Sequence, residues 1–220
     1  MNKNLLIIFV KEPKKGFVKT RLAKNLGDEF ALELYKCFVK DLLVNIESKN
    51  YDIKIYVAGS KEKTKKVFNF SCVFSQVDGN LGLKMKTAFK TEFECYDKVV
   101  LIGSDTPHIR ESLINEAFLK LSSKEIVLGP ADDGGYYLIA FNKTSFNKNV
   151  FENISWSTSM VFTQTLQKLN VKNLALLENL NDIDDSEDLQ TFYAEFKNND
   201  FMLKRTLHYL KESTLWKNLT

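Results

Sequence analysis

Lys98-Val99-Val100-Leu101-Ile102-Gly103-Ser104-Asp105-Thr106-Pro107 joins an apolar, β-branched run to a small, polar turn stiffened by proline. An unbroken run of this kind predicts a strand covered on both faces, as in a parallel sheet. Open α/β sheets bind ligands outside the carboxyl ends of their strands, so the turn stands at a binding edge. A carboxylate among small residues there suits a hard cation such as Mg²⁺ held against a phosphate, with Ser104 beside it as a candidate ligand contact. The alternative role for Asp105 is to cap the helix that begins near Ile109.

A second buried strand precedes it in the chain, Leu5-Leu6-Ile7-Ile8-Phe9-Val10. It runs into a loop in which Lys11, Lys14, Lys15, Lys19, Arg21 and Lys24 face a single acid, Glu12. Pro13 and Gly16 mark that loop, and a helix opens at about Thr20. A phosphate chain fits such a place, because backbone N–H groups and the helix dipole point at the anion while Lys19 and Arg21 add charge and donors. Exposed lysine loops are commonly just solvated surface. Arg21 argues against that here, as one of three arginines in a lysine-rich chain. The Gly-x4-Gly-Lys-Ser/Thr spacing of a Walker A loop is absent.

Farther along, Phe30, Leu34, Phe38, Leu42 and Ile46 recur at helical spacing and predict a long amphipathic helix. Tyr51 to Ala58 alternates and reads as a strand; Lys61 to Lys66 reads as a solvated helix. Gly79 and Gly82 open a helix over 83–93, where Gly82 either lets a nucleobase or sugar approach the backbone or serves a tight turn. A helix over 111–121 and a strand ending at Pro130 lead to Asp132-Asp133-Gly134-Gly135-Tyr136-Tyr137. Asp-Gly is a hairpin signal; the paired glycines also let a ligand lie close to the backbone beside a carboxylate. The three prolines, Pro13, Pro107 and Pro130, each fall at the end of a predicted strand, which outlines a binding rim. Trp156 either stacks on a ligand or packs half-buried, and Ser155 or Ser157 is the expected N-cap of a helix over 160–169.

The segment Glu178 to Leu189 is the acidic counterpart of the basic loop, with six acids and no base. Ser186, Glu187 and Asp188 suit a helix start. Asp182 and Asp184 precede it and alternate, so both can turn toward Asp105 and a divalent cation. His108 stands near the rim, where it either titrates beside a phosphate or is structural; His208 reads as structural.

At 220 residues with 44% hydrophobic side chains, the chain can bury one α/β core, and disorder is excluded. We expect a domain over 1–200 and a helical extension over 201–220, whose Leu203, Leu207, Leu210 and Trp216 pack on the domain or on a second subunit as a homodimer. A net charge of +3 is too small to indicate a nucleic-acid partner. The longest early apolar run, Leu5 to Val10, is far too short for a membrane span, and no cleavage pattern follows it, so the expected location is cytoplasmic. Cys37, Cys72 and Cys95 are scattered and read as buried, reduced thiols.

Taken together, Phe9-Val10-Lys11-x-Pro13-x-x-Gly16-x-Val18-Lys19-Thr20-Arg21-Leu22-Ala23, Gly103 to Pro107, Gly129 to Ile139, Trp156-Ser157-Thr158 and Asp182 to Leu189 resemble a known bacterial family. It is the glycosyltransferase-like family called radical-SAM/selenodomain-associated transferase 1, within the glycosyltransferase-A, or nucleotide-diphospho-sugar transferase, superfamily. The Lys-Thr-Arg-Leu-Ala run is also similar to 2-phospholactate guanylyltransferases. The resemblance implies a single Rossmann-like, three-layer α/β/α domain with a mostly parallel sheet that binds a nucleotide at the strand edge. It implies Mg²⁺ or Mn²⁺ at Asp105, with Asp184 matching a second ligand in the cytidylyltransferase branch. There the helix start reads Thr-Pro-Glu-Asp-Leu, whereas this chain has Asp-Ser-Glu-Asp-Leu. Lys84 stands where the resemblance leads one to expect arginine, and the two differ at bidentate phosphate sites.

The combined expectation is a metal-dependent transferase with a nucleotide-linked donor, foremost a nucleotide sugar, and a small-molecule acceptor. Asp105, Asp184 and Asp182 would hold the metal, and Lys19 and Arg21 would stabilise charge on phosphate oxygens. Asp133 would act as base. Lys11, Gly16, Gly82, Lys84, Ser104, Gly134, Gly135 and Trp156 would shape the nucleotide and substrate contacts. A nucleotidyltransferase using a nucleoside triphosphate and a phosphorylated acceptor is the alternative, and a non-catalytic nucleotide-binding module the third.

Overall fold

The computed structural model describes residues 3–169, 173–199 and 201–217. The expected domain boundary at residue 200, and the last three residues of the extension, lie outside them. Seven strands form one sheet in the order β3-β2-β1-β4-β6-β5-β7. They are β1 (Asn4–Lys11), β2 (Asp52–Ala58), β3 (Val73–Ser75), β4 (Lys98–Ile102), β5 (Ile126–Pro130), β6 (Tyr136–Asn142) and β7 (Leu174–Leu176). Every neighbouring pair is parallel except those of β6, which is antiparallel to β4 and β5. The exception has a local cause. The short Ala131 to Gly135 turn joins β5 to β6 and can only return the chain antiparallel, since a parallel return needs a crossover of a dozen residues or more. The fold is therefore α/β with a mostly parallel sheet.

β1 and β4 are buried along nearly their whole length because helices cover both faces. One face is covered by α2 (Asp28–Asn45), α3 (Lys61–Phe68) and α5 (Glu111–Lys120), through residues such as Val39, Leu42, Phe68 and Ile114. The other is covered by α4 (Leu81–Glu92) and α6 (Val161–Gln167) with the 3-10 turn Lys148–Phe151, through an aromatic group centred on Phe89, Phe141 and Phe151. A third apolar cluster lies outside α2. There Phe30, Leu34 and Phe38 meet α1 (Thr20–Leu26), α7 (Ser186–Phe196), α8 (Lys204–Glu212) and α9 (Thr214–Lys217). The apolar stripe of α2 serves two clusters: Leu42 and Ile46 join the one against the sheet, while Phe30, Leu34 and Phe38 turn outward to the C-terminal helices.

A carboxylate fastens that C-terminal segment. α8 has no side-chain cap of its own. Asp41 of α2, only 2% exposed, accepts from the backbone N–H of Arg205 (3.2 Å) and Thr206 (2.8 Å) and from the Arg205 guanidinium (3.3 Å). It caps α8 from another helix, satisfying N–H groups that a helix start leaves unpaired. Asp41→Ala is expected to cost about 2–3 kcal/mol, because it strands buried donors. Urea unfolding reads that cost, and faster amide exchange over 204–212 identifies its origin; an unchanged midpoint would mean that apolar packing alone holds α8.

Two sequence expectations need correction. Cys72 and Cys95 are exposed and Cys37 is half-buried, so the thiols are free but not core residues. Neither Ser155 nor Ser157 caps α6, whose N-cap is Met160 without a side-chain bond. Ser155 instead pairs with Gln164 through its N–H (2.7 Å) and its hydroxyl (3.2 Å). Among the described residues no helix is long and apolar enough to cross a membrane.

Candidate active site

β1 has β2 on one side and β4 on the other, so the segments leaving β1 and β4 diverge and open a crevice between them. That crevice is a cleft of about 680 Å³ at the carboxyl ends of the strands. Tyr35, from α2, ties its two sides together. The phenol accepts from Lys11 N–H (2.9 Å) at the end of β1 and lies 3.3 Å from the Ser104 hydroxyl past the end of β4. Burial pushes its pKa far up, so it stays a neutral hydrogen-bonding group. The basic loop is anchored by Glu12, which accepts from Ser60 N–H (2.8 Å) and Lys63 (2.9 Å).

Lys19 does not extend into solvent. It precedes α1 in the left-handed region (φ 46°), and its side chain is 3% exposed. The ammonium donates to the Ile183 carbonyl (2.7 Å), pairs with Asp105 and lies 3.8 Å from Asp184. Arg21 reaches Asp184 from outside at 3.4 Å. The backbone closes the same junction, with Ile183 N–H donating to the Asp105 carbonyl (3.0 Å). Asp105 is therefore not a helix cap: the N-cap of α5 is Arg110. Burial pushes the Asp105 carboxyl up, but Lys19, helped by Lys11, outweighs it and holds the pKa below the usual carboxylate range.

The acidic segment divides into two jobs. Asp185 accepts from Glu187 N–H (2.9 Å) and Asp188 N–H (3.1 Å), while Asp188 accepts from Asp185 N–H and Asp184 N–H, a capping box that starts α7. Those two acids are spent on the fold, and they immobilise Asp184 beside the cleft. Asp182 is the other kind. Burial, and then the charges of Asp133, Asp105 and Asp184, push its pKa up to about 7. Four carboxylates crowd one end of the cleft with more negative charge than Lys19 balances. Oxygen donors of this type fit Mg²⁺ or Mn²⁺. Among the described residues, no three His, Cys, Asp or Glu side chains are spaced to hold a metal as they stand, and Asp105 and Asp184 converge on the Lys19 ammonium instead.

The remaining expected residues separate into two groups. Lys11, Arg21, Lys84, Asp133, Gly135 and Trp156 line the cleft, as do Lys19, Ser104, Asp105, Asp182 and Asp184. Gly16, Gly82 and Gly134 are not among its lining residues. Gly16 sits on the exposed outer loop at φ +72°. Gly82 lies in the first turn of α4, where a Cβ would come within 2.7 Å of the Trp156 indole nitrogen and the Phe151 carbonyl. Its small size admits Trp156, and Asn80 does the capping. Gly134 backs onto Ser159. Tyr35, Gln76 and Ser157 to Ser159 also line the cleft, and sequence reasoning missed them. A buried tyrosine inside an apolar helix carries no local sign that its hydroxyl joins two loops.

A second cavity of about 820 Å³ adjoins the first under α7 and shares Arg21, Asp133, Asp182 and Asp184 with it. His108 lines it, against the aromatic rings of α7. It is 9% exposed, packed on Phe192 and Phe196, and its Nδ1 has no hydrogen-bond partner among the described residues. Burial, and then the Arg110 charge, push its pKa down to about 4. The unfolded chain therefore binds a proton between pH 6.5 and 4 that the folded chain refuses, so stability falls as pH falls through that window. The expected loss is about 3 kcal/mol, and His108→Phe should flatten the fall. Equal acid slopes in the two proteins, read by urea unfolding at each pH, would clear His108 of this role.

Comparison with known proteins agrees with this fold. The model of a family described as uncharacterized protein conserved in bacteria (DUF2064) matches residues 43–158. A solved structure from Desulfovibrio desulfuricans G20, provisionally assigned as a nucleotide-diphospho-sugar transferase, is 35% identical. It superposes with a TM-score of 0.92 over 99% of this chain and 98% of that one. The 4-diphosphocytidyl-2C-methyl-D-erythritol synthase of Anaerococcus prevotii is 12% identical with a TM-score of 0.60, covering 90% and 97% of the two chains. A cytidylyltransferase from Leptospira borgpetersenii is 15% identical with a TM-score of 0.56, covering 100% and 99%. These last two share the fold. No curated protein matches the chain.

Proposed function

We propose that this chain, which belongs to the bacterial DUF2064 family and has the nucleotide-diphospho-sugar transferase fold, is a metal-dependent transferase acting on a nucleotide sugar. The observation that carries this is the convergence, at the β1–β4 crevice, of four cations with the Asp105–Asp182–Asp184 carboxylates. Two of those cations are already engaged, Lys19 with Asp105 and Arg21 with Asp184. Lys11 and Lys84 form no salt bridge among the described residues and are left to meet the ligand. Sugar transfer is favoured over nucleotidyl transfer by the relative at 35% identity, provisionally assigned as a nucleotide-diphospho-sugar transferase.

In this reading Lys11 and Lys84 hold the diphosphate, and the Tyr35–Ser104 contact keeps the two walls of the crevice at a set spacing. Asp105 and Asp184, with Asp182, would hold Mg²⁺ or Mn²⁺, which supplies charge neutralisation for a diphosphate leaving group. Arg21 adds a planar donor at the mouth of the cleft. The second cavity is the acceptor side, since it meets the first at Asp133. The Asp133 carboxylate, oriented by Gly135 N–H at 2.7 Å, is the base for the acceptor hydroxyl.

A thermal-shift panel of nucleoside diphosphates, triphosphates and nucleotide sugars, each with Mn²⁺, Mg²⁺ or chelator, tests the reading. A ligand at about one hundred times its dissociation constant adds roughly 2.7 kcal/mol. A cation-dependent shift with one diphosphate and its sugar conjugates is expected, and it would name the base. A larger shift with a triphosphate, followed by pyrophosphate release, would turn the assignment to nucleotidyl transfer. No shift with any of them would overturn both.

A further inference from the structure

We propose that the Lys19 ammonium and a divalent cation compete for the same carboxylates, so that cation binding turns Lys19 out of its buried seat. The inference rests on the reading of the cleft as a donor site that takes Mg²⁺ or Mn²⁺. The seat itself is built from residues far apart in the chain. The ammonium touches Asp105 and the Ile183 carbonyl, has Asp184 at 3.8 Å and lies 5.8 Å from the centre of the Phe38 ring. It thus occupies the space between the two carboxylates expected to bind metal. A divalent ion on those oxygens would stand directly beside the Lys19 ammonium, whose side chain is almost wholly withdrawn from water, and like charges repel more strongly there.

The charge balance says which cation prevails. Asp105, Asp133, Asp182 and Asp184 all line this one cleft, and Lys19 offers them a single positive charge. Arg21 adds another only at the outer face of Asp184, with most of its side chain exposed. A divalent ion brings twice the charge of Lys19 to the same place. The backbone is also set for release. Lys19 is one of four described non-glycine residues with positive φ, the others being Asn69, Asn153 and Ser157. A long side chain keeps that conformation only where its surroundings hold it. Here the contacts of the ammonium are such a hold, and their loss lets the residue before α1 relax. Lys19 is then a placeholder between Asp105 and Asp184 until the cation arrives, and becomes available to phosphate once it does.

Two measurements test this without relying on turnover. The first is reductive methylation of the wild-type protein, mapped by mass spectrometry with and without Mn²⁺. Lys19 should be protected alone and label at least threefold faster with Mn²⁺, while exposed Lys24 stays constant. The second is calorimetric titration of Mn²⁺ in the absence of nucleotide, where Lys19→Met should bind at least tenfold more tightly than wild type. Should that variant fail to fold, the wild-type labelling decides. Mn²⁺ that binds while Lys19 remains protected overturns the competition, as does an absence of Mn²⁺ binding or equal affinity in a folded Lys19→Met. Nucleotide-sugar binding by the wild type, measured beside these, distinguishes failure of the competition from failure of the donor-site reading.

Discussion

Asp105→Asn is expected to lower the unfolding free energy by about 3 kcal/mol and to abolish cation-dependent nucleotide binding. The stability effect follows from Lys19. Its ammonium is almost wholly removed from water, and Asp105 is its closest counter-charge. Removing one member of a buried pair leaves the other uncompensated, which costs about 3–5 kcal/mol. The lower end applies because the Asp105 side chain is 44% exposed and Asp184 remains at 3.8 Å. The pH dependence has a definite sign. Lys19 holds the Asp105 pKa below its unfolded value, so the pair contributes stability above the usual carboxylate range and loses it as pH falls through the depressed pKa. Wild type and variant should therefore differ most near neutral pH and converge in strong acid. Urea unfolding at pH 7 is the check; a difference under about 1 kcal/mol would show that other contacts neutralise Lys19. Nucleotide binding that keeps its response to Mn²⁺ in the variant would remove Asp105 from the proposed site.

Gly134→Ala should be at least as damaging, by about 3 kcal/mol or more, for a steric reason. A Cβ there would lie 2.2 Å from the Ser159 carbonyl oxygen, which is backbone and cannot rotate away. The residue also has φ +84°, where an L side chain is strained in any surroundings. Its carbonyl accepts from Phe162 N–H at 2.8 Å, so displacing the turn breaks its attachment to α6 as well. Gly135→Ala is the control. The atoms nearest its Cβ would be those of the Asp133 side chain, the first at 3.0 Å, and its φ is not positive. That change should cost about 1 kcal/mol. If Gly134→Ala unfolds in urea within about 1 kcal/mol of wild type, this turn can shift away from Ser159 at little cost. The prediction also bears on function, since the same turn sets Asp133.

The strands were legible because their signal is local. Val99 to Ile102 and Leu5 to Val10 are apolar on both faces, which suits only a covered strand or a buried helix, and the Gly-Ser-Asp-Thr-Pro and Lys-x-Pro turns settle the choice. The sheet rule places Asp105, Ser104 and Lys11 on one edge from chain direction alone. The α7 start was legible too, because a capping box is contained in a few consecutive residues. Gly82 and Gly134 are less legible, for the same reason in reverse. A glycine announces close approach but not what approaches, and here Trp156 lies against Gly82 and Ser159 against Gly134.

By itself, the amino-acid sequence determined the α/β class, the strands, most helices, and the edge where basic and acidic loops meet, all of which follow from periodicity, turn chemistry and chain direction. Tertiary structure alone decided that Lys19 turns inward to Asp105, that Asp41 caps a helix far along the chain, and that Tyr35 joins two loops. It also decided that Asp182 lies close enough to Asp133, Asp105 and Asp184 to hold its proton to about neutral pH. Those are properties of charges and donors brought together through space. Their energies depend on distance and burial, and no spacing along the chain encodes either.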